Sequence, residues 1–196
     1  MTKFMVALVK APDEIETARL ILRRPAMGDA AAIFAAYAGD PEVTRFLGWP
    51  RHRSVHDTRE FLRFSAREWE RWPAGPYLIL MRHDRSLVGS TGLGFQSRDA
   101  AVTGYVLARP AWGHGYATEA LQAMVDLARS IGVARLFALC HPDHRPSQRV
   151  LEKCGFIVDP AAARVVEFPN LAAAGQQPAL CYVLALDAGG TARAGR

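Results

Sequence analysis

The run Trp112-Gly-His-Gly-Tyr-Ala-Thr-Glu-Ala120 sets two glycines and an alanine at alternate positions, Gly113, Gly115 and Ala117. A strand-like run, Thr103–Leu107, precedes it and is closed by Arg109-Pro110. Leu121, Met124, Val125, Ala128 and Ile131 follow at the i, i+3, i+4 spacing of one buried helical face. A strand, a glycine-rich turn and a helix start gather unpaired backbone N–H groups at one point, where the helix dipole favours negative charge. Small residues let a phosphate approach the backbone without meeting a Cβ. The chemistry this suits is a pyrophosphate cradle made by Trp112, Gly113, His114, Gly115, Tyr116, Ala117 and Thr118. A tight strand-to-helix connection with no ligand satisfies the same spacing and stays open. A Walker loop is excluded, because Tyr116, Ala117 and Thr118 stand where Lys and Ser/Thr are needed. A dinucleotide fingerprint starting at Gly113 would want Gly or Ala at Thr118 and would open the first βαβ unit, not lie mid-chain.

Other reactive side chains are fewer. His141, Asp143 and His144 form a His-x-Asp-His cluster, but with no fourth ligand in view a turn after a strand is the expectation and no metal is assigned. Glu119 either holds the cradle or complements the first turn of the helix, and the structural role is the one expected. Gly89, Gly92 and Gly94 lie within strand-like sequence, where a bulge or turn explains them. Cys140, Cys154 and Cys181 are odd in number, widely spaced and free of any CxxC pair, which argues for reduced thiols in a cytosol.

The elements that must carry these residues read as one α+β domain. Arg19–Arg23 is a first strand, and Asp29 caps a helix with Ala32, Ile33, Ala36 and Tyr37 on one side. Ser54 and Asp57 open a second helix through Phe61, Leu62, Ser65 and Trp69 to the break at Pro73–Pro76. Tyr77–Met81, Leu87–Thr91 and Val102–Leu107 form an antiparallel meander. After the cradle helix, which ends near Gly132, come a strand at Ala134–Leu139, a helix at Pro146–Lys153 and strands at Phe156–Val158, Val165–Phe168 and Leu180–Leu186. Residues 1–16 are expected as an N-terminal extension, 17–187 as the domain and 188–196 as a flexible tail. With 196 residues, half of them hydrophobic, the chain is long enough for one sizeable core. No apolar run approaches a membrane span or a secretory core, so a cytoplasmic protein is expected. The net charge of +5 suits an anionic cofactor; the basic residues are scattered without a nucleic-acid-binding signature, so nucleic acid is not expected as the main partner.

Three segments resemble one family. Glu16-Thr-Ala-Arg-Leu-Ile-Leu-Arg23, Gly104-Tyr105 with the cradle, and His141-Pro-Asp-His-Arg-Pro-Ser147 with Val150–Phe156 look like the GNAT N-acetyltransferases, in particular the branch of ribosomal-protein alanine N-acetyltransferases. The resemblance covers roughly Glu16 to Leu186. It implies the GNAT fold, a mostly antiparallel twisted sheet with splayed central strands and flanking helices. It also implies acetyl-CoA as co-substrate, a primary amine as acceptor (a protein N-terminus or a small amine) and a monomer or homodimer. The pantetheine arm would lie between the splayed strands, hydrogen-bonded by the backbone of Val106 and Ala108. Ser147 would protonate the leaving thiolate, unless it only caps its helix. His144 stands where the branch has Asn, and a neutral imidazole can replace both its donor and its acceptor. The strand Ala101–Leu107 lacks the carboxylate that many of these enzymes use as base. His52, His56 and Asp57 are the remaining candidates, and a water relay would need none of them.

Overall fold

The computed structural model describes residues 9–171 and 175–186; the expected tail and residues 1–8 of the expected extension lie outside them. Among the described residues nine strands run β1 (Glu14–Glu16), β2 (Leu20–Arg23), β3 (Pro76–Met81), β4 (Leu87–Phe95), β5 (Ala100–Leu107), β6 (Arg135–Cys140), β7 (Ile157–Val158), β8 (Arg164–Glu167) and β9 (Gln176–Ala185). The helices are α1 (Ala30–Ile33), α2 (Val55–Arg71), α3 (Tyr116–Ser130) and α4 (Arg145–Lys153). Strand order is β1-β2-β3-β4-β5-β6-β9-β7, with β8 also paired to β9. Every pairing is antiparallel except β5 with β6. The α+β class and the mostly antiparallel sheet expected from the sequence are both found.

The sheet is buried on both faces, so β3 reads Tyr-Leu-Ile-Leu-Met without alternation and is buried throughout Tyr77–Met81. One core packs α3 (Leu121, Met124, Val125, Ala128) against Leu20, Leu22, Tyr77, Ile79 and Leu136. The other packs Ile33, Tyr37 and Leu62 against Ile21, Leu78, Leu80 and Val106.

Four expectations are corrected. Glu14–Glu16 pairs with β2, Ala11 is buried, and Pro12 O accepts from Tyr77 Oη at 2.6 Å, so the boundary placed at residue 16 falls inside the sheet. The first helix is one α turn that widens into a π turn at Phe34–Ala38, burying Ala30, Ile33, Tyr37 and Ala38 while Ala32 is exposed. Asp29 does not cap it: its carboxylate takes Arg23 at 2.7 and 2.9 Å and the Ala26 N–H at 2.7 Å. The last strand begins at Gln176 and runs to Ala185, longer than its apolar stretch suggested, because β6 and β8 both pair along it.

Candidate active site

Strands β5 and β6 pair at only three positions, Ala100–Arg135, Ala101–Leu136 and Val102–Phe137. Beyond them β5 stays with β4 as far as Leu107, and β6 stays with β9 as far as Cys140. The two strands therefore part from residues 103 and 138 onward. A gap opens in the centre of the sheet, edged by strand backbone.

The β4–β5 register decides which groups of β5 face that gap. Gln96 N donates to Ala100 O at 3.0 Å and Ala108 N to Val88 O at 2.8 Å, at the two ends of one unbroken register. Ladder bonds alternate along an antiparallel pair, so even-numbered residues of β5 are bonded to β4. Thr103, Tyr105 and Leu107 turn their amides to the gap. The assignment of Val106 and Ala108 is thereby corrected by one residue. Val106 lies opposite Ser90, and the Ala108 carbonyl accepts from Ala111 N at 2.9 Å. The Leu107 carbonyl is taken by the Trp112 indole, Nε1 to O at 2.7 Å, which fixes the side chain that opens the cradle.

The cradle has the geometry its glycines suggest. Gly113 and Gly115 have φ of +82° and +80°, and Gly115 is the N-cap of α3. L-residues enter that left-handed region only with strain. A Cβ at Gly113 would meet nothing within 4 Å, so its glycine answers to the backbone angle rather than to crowding. Glu119 N, the first to find an intrahelical acceptor, donates to Gly115 O at 3.1 Å. The N–H groups of Tyr116, Ala117 and Thr118 find none among the described residues, as at any helix start. His114 and Tyr116 stack at 5.6 Å.

Glu119 bolts this turn to the start of β2. One carboxylate oxygen accepts from Thr17 Oγ1 at 2.6 Å and from Arg19 N at 2.8 Å, and the other from Arg19 Nε at 2.7 Å. Arg19 Nη1 donates to His114 O at 2.8 Å, and the guanidinium covers the Tyr116 ring at 4.7 Å. Burial alone would raise the Glu119 pKa, but the bonds from Thr17 and Arg19 outweigh it and hold the carboxyl below its ordinary value. The structural role expected of Glu119 is found, and Arg19 is the partner that single-segment reading missed.

At the other edge of the gap, α4 begins with His144 as N-cap, its Nδ1 accepting from Ser147 N at 3.2 Å. That bond assigns the proton to Nε2. Burial, and then His141, lower the His144 pKa, so the ring is neutral near pH 7. The Ser147 hydroxyl does not cap the helix. It accepts from Tyr105 Oη at 3.3 Å, across the gap from β5. Burial pushes the Tyr105 phenol up to about 12, leaving it a firm donor. The Cys140 thiol lies nearby and is raised by burial, against a Ser147 hydrogen bond. Cys154, buried behind α3 with its thiol pushed by burial up to about 11, is no nucleophile.

The mouth is aromatic. Phe46 and Phe168 flank His141 at 4.9 and 4.8 Å, and Phe46 meets His144 edge-on at 4.9 Å. His141 has both ring nitrogens engaged, Nδ1 by Asp143 N at 3.1 Å and Nε2 by Gln177 Oε1 at 3.2 Å. His52 packs on Trp49 at 5.2 Å, with Nδ1 2.9 Å from the buried Thr58 Oγ1. Burial lowers its pKa, with Asp57 pulling the other way. His56 is not brought to the mouth. It stands exposed on α2 beside Glu60, 3.7 Å away, and is set aside as a base candidate. Asp57 is spent on the helix start, accepting from Arg53 N at 2.7 Å and Ser54 N at 3.2 Å.

The described residues thus fit a coenzyme A moiety at the cradle and gap. Residues 19–157 match the family model described as an acetyltransferase (GNAT) domain. The uncharacterized N-acetyltransferase YoaA of Bacillus subtilis (strain 168) is 32% identical over 145 residues, which is 72% of this chain and 81% of that protein. A RimL ribosomal-protein alpha-N acetyltransferase in complex with coenzyme A superposes with a TM-score of 0.76 at 22% identity, covering 89% of this chain and 99% of that one. The microcin self-immunity acetyltransferase MccE, in complex with acetyl-CoA and AMP, gives 0.76 at 17% identity over 91% and 99%.

Proposed function

Since this chain belongs to the GNAT family of acetyl-CoA-dependent N-acetyltransferases, we propose that it transfers acetyl directly to a primary amine in a ternary complex, the acceptor being the N-terminal amine of a protein. The observation that carries direct transfer is the parting of β5 from β6 beside the cradle. A thioester laid along the gap would have one strand edge on either side and open access at the aromatic mouth.

Acetyl-CoA supplies an activated acyl carbon, and the chain supplies position and protons. The N–H groups of residues 113–118 hold the diphosphate by hydrogen bonds and dipole, with Arg19 adding positive charge behind them. Backbone amides of Tyr105 and Leu107 orient the pantetheine and offer a donor to the developing oxyanion. Tyr105 Oη donates to Ser147 Oγ, which leaves the Ser147 proton directed to the departing sulfur. His52 is neutral at pH 7 because it is half-buried, and its Nδ1 contact with Thr58 orients the ring to take the proton of the acceptor ammonium. The three sequence segments that resemble the ribosomal-protein branch support a protein N-terminus as acceptor.

The test is release of CoA thiol when acetyl-CoA meets peptide N-termini, polyamines and aminoglycosides in parallel. Release with peptides alone supports the reading. Release with small amines alone moves the acceptor to that class. CoA binding with no release from any amine makes the chain a silent CoA-binding module, the outcome that a β5 without a carboxylate would favour.

A further inference from the structure

A pocket is lined by Thr44 and Pro169, close in sequence to the mouth residues Phe46 and Phe168, and by Arg51 and Arg53 on either side of His52 in the chain. Resting on the reading of the chain as an amine acetyltransferase, we propose that this pocket is an anion subsite holding a carboxylate or phosphate carried by the acceptor. Its volume is about 280 Å³, and it is bounded by Pro41, Pro50, Arg51, Arg53, Pro169 and Asn170.

The pocket is built, not incidental. The Asn170 carboxamide ties its two walls together: Nδ2 donates to Thr44 O and to Trp49 O, each at 2.8 Å, and Oδ1 accepts from Arg51 N at 2.7 Å. Three prolines stiffen the rim. Arg51 and Arg53 are both exposed at this rim, and neither guanidinium makes an ion pair among the described residues. Arg45, on the same loop, makes no ion pair among the described residues either and lies over the Phe46 ring at 5.1 Å.

Of the nearby carboxylates, Glu42 pairs with Arg109 at 2.9 Å, while Asp40 and Asp57 accept only backbone N–H groups and keep their charge. The three arginines Arg45, Arg51 and Arg53 outnumber those two carboxylates, so the loop presents a net positive charge around a polar hollow. That charge would repel a polyamine and attract an oxyanion. The position also suits an acceptor whose amine is in the gap. Thr44 and Pro169 line the pocket, while Phe46 and Phe168, on the same two segments, flank His141 at the mouth. Guanidinium forks match carboxylate and phosphate alike.

Three C-terminally amidated peptide amines separate the possibilities: alanyl-aspartyl-aspartate amide, alanyl-phosphoserine amide and alanyl-asparaginyl-asparagine amide, the last with no anionic group. The kcat/KM for either anionic peptide should exceed that for the neutral one by about tenfold, as two exposed guanidinium contacts allow. The better of the two anionic peptides identifies the oxyanion. In Arg51→Gln/Arg53→Gln the ratio should fall to near one, and high salt should lower it in the native protein. This variant keeps the Arg51 N–H bond to Asn170, so the walls stay joined. A native ratio near one, or a preference that survives the double substitution, overturns the subsite.

Binding is followed separately, by NMR of the amide signals of Arg51, Arg53 and Asn170 in the presence of CoA. Shifts with the anionic peptides only support the subsite even if no peptide is acetylated, a result that would count against the proposed acceptor instead. Equal shifts with all three, or none, refute it.

Discussion

Glu119→Ala tests whether the cradle is held from outside its own segment. The carboxylate accepts two bonds from Arg19 and one from Thr17, all between 2.6 and 2.8 Å. The Arg19 N–H and the Thr17 hydroxyl each lose an acceptor, at about 1 kcal/mol apiece. The Arg19 side chain is 48% exposed, so its ion pair contributes no more than about 1 kcal/mol after screening. The total is about 3 kcal/mol, or a fall in Tm of about 6–12 °C for a domain of this size. Function should suffer too, because Arg19 then loses its anchor and with it the bond from Nη1 to His114 O. One lost positioning bond corresponds to CoA binding weaker by about five- to tenfold. The pH dependence has a definite sign. The folded-state pKa of Glu119 is depressed, so its contribution is present above the ordinary glutamate value and is lost as pH falls through the folded value. Thermal unfolding of native protein and Glu119→Ala at pH 7 and at progressively lower pH, with CoA titration by calorimetry, reads all three effects. Equal Tm and equal CoA affinity at pH 7 would refute the bolt. A difference in Tm that does not shrink on acidification would refute its ionic part.

Gly115→Asp should abolish CoA binding, since it adds a carboxylate and a strained φ at the helix start, while the fold persists because a Cβ there meets only the Arg19 guanidinium at 3.5 Å; calorimetry and circular dichroism check both halves. Ser147→Ala should lower kcat by about 10²-fold with little change in CoA affinity, and Tyr105→Phe by less, because it removes only the donor behind Ser147; equal losses in kcat and in affinity would make Ser147 structural. In the pH profile of kcat/KM, the acid limb should fall below the ordinary histidine value, since burial lowers the His52 pKa and the base form persists into mild acid, and His52→Gln should remove that limb. Asn170→Ala should raise KM for the acceptor by about tenfold while leaving CoA binding unchanged, because three bonds joining the mouth segments are lost; steady-state kinetics with each substrate varied in turn separates the two.

The parts of this site that could be read from the sequence are those in which the chain interacts with its own neighbours. Gly113 and Gly115 declare a left-handed turn, and the apolar spacing from Leu121 to Ile131 declares the helix it starts. The meander shows in its turn residues. What sequence reading missed are contacts between distant segments. Thr17 and Arg19 meet Glu119 about a hundred positions away, and Asn170 reaches back to Thr44 and Trp49. No periodicity marks a polar side chain as belonging to such a joint. Tyr105 was visible only as part of a Gly-Tyr pair, because its worth lies in a hydroxyl facing Ser147 across an unpaired strand edge. Asp29 failed as a cap because Arg23, on the adjoining strand, offers it a stronger partner than a helix N–H.

The misplacement of the gap-facing amides by one residue shows how strand register becomes function. Along β5, side chains alternate between the two cores while backbone groups alternate between β4 and the gap, so one parity settles both. Tyr105 and Leu107 pack with the α3 core, and Val106 packs with the α1–α2 core. Gly89 pins that parity. A Cβ there would lie 2.1 Å from Val106 O, so only glycine lets β4 and β5 approach in this register. A slip of one residue would turn the Tyr105 hydroxyl away from Ser147 and point the amides now facing the gap back into the ladder. The reactive end of the site thus depends on a glycine in β4 that touches no substrate: by permitting one pairing, it decides which amides are left unpaired.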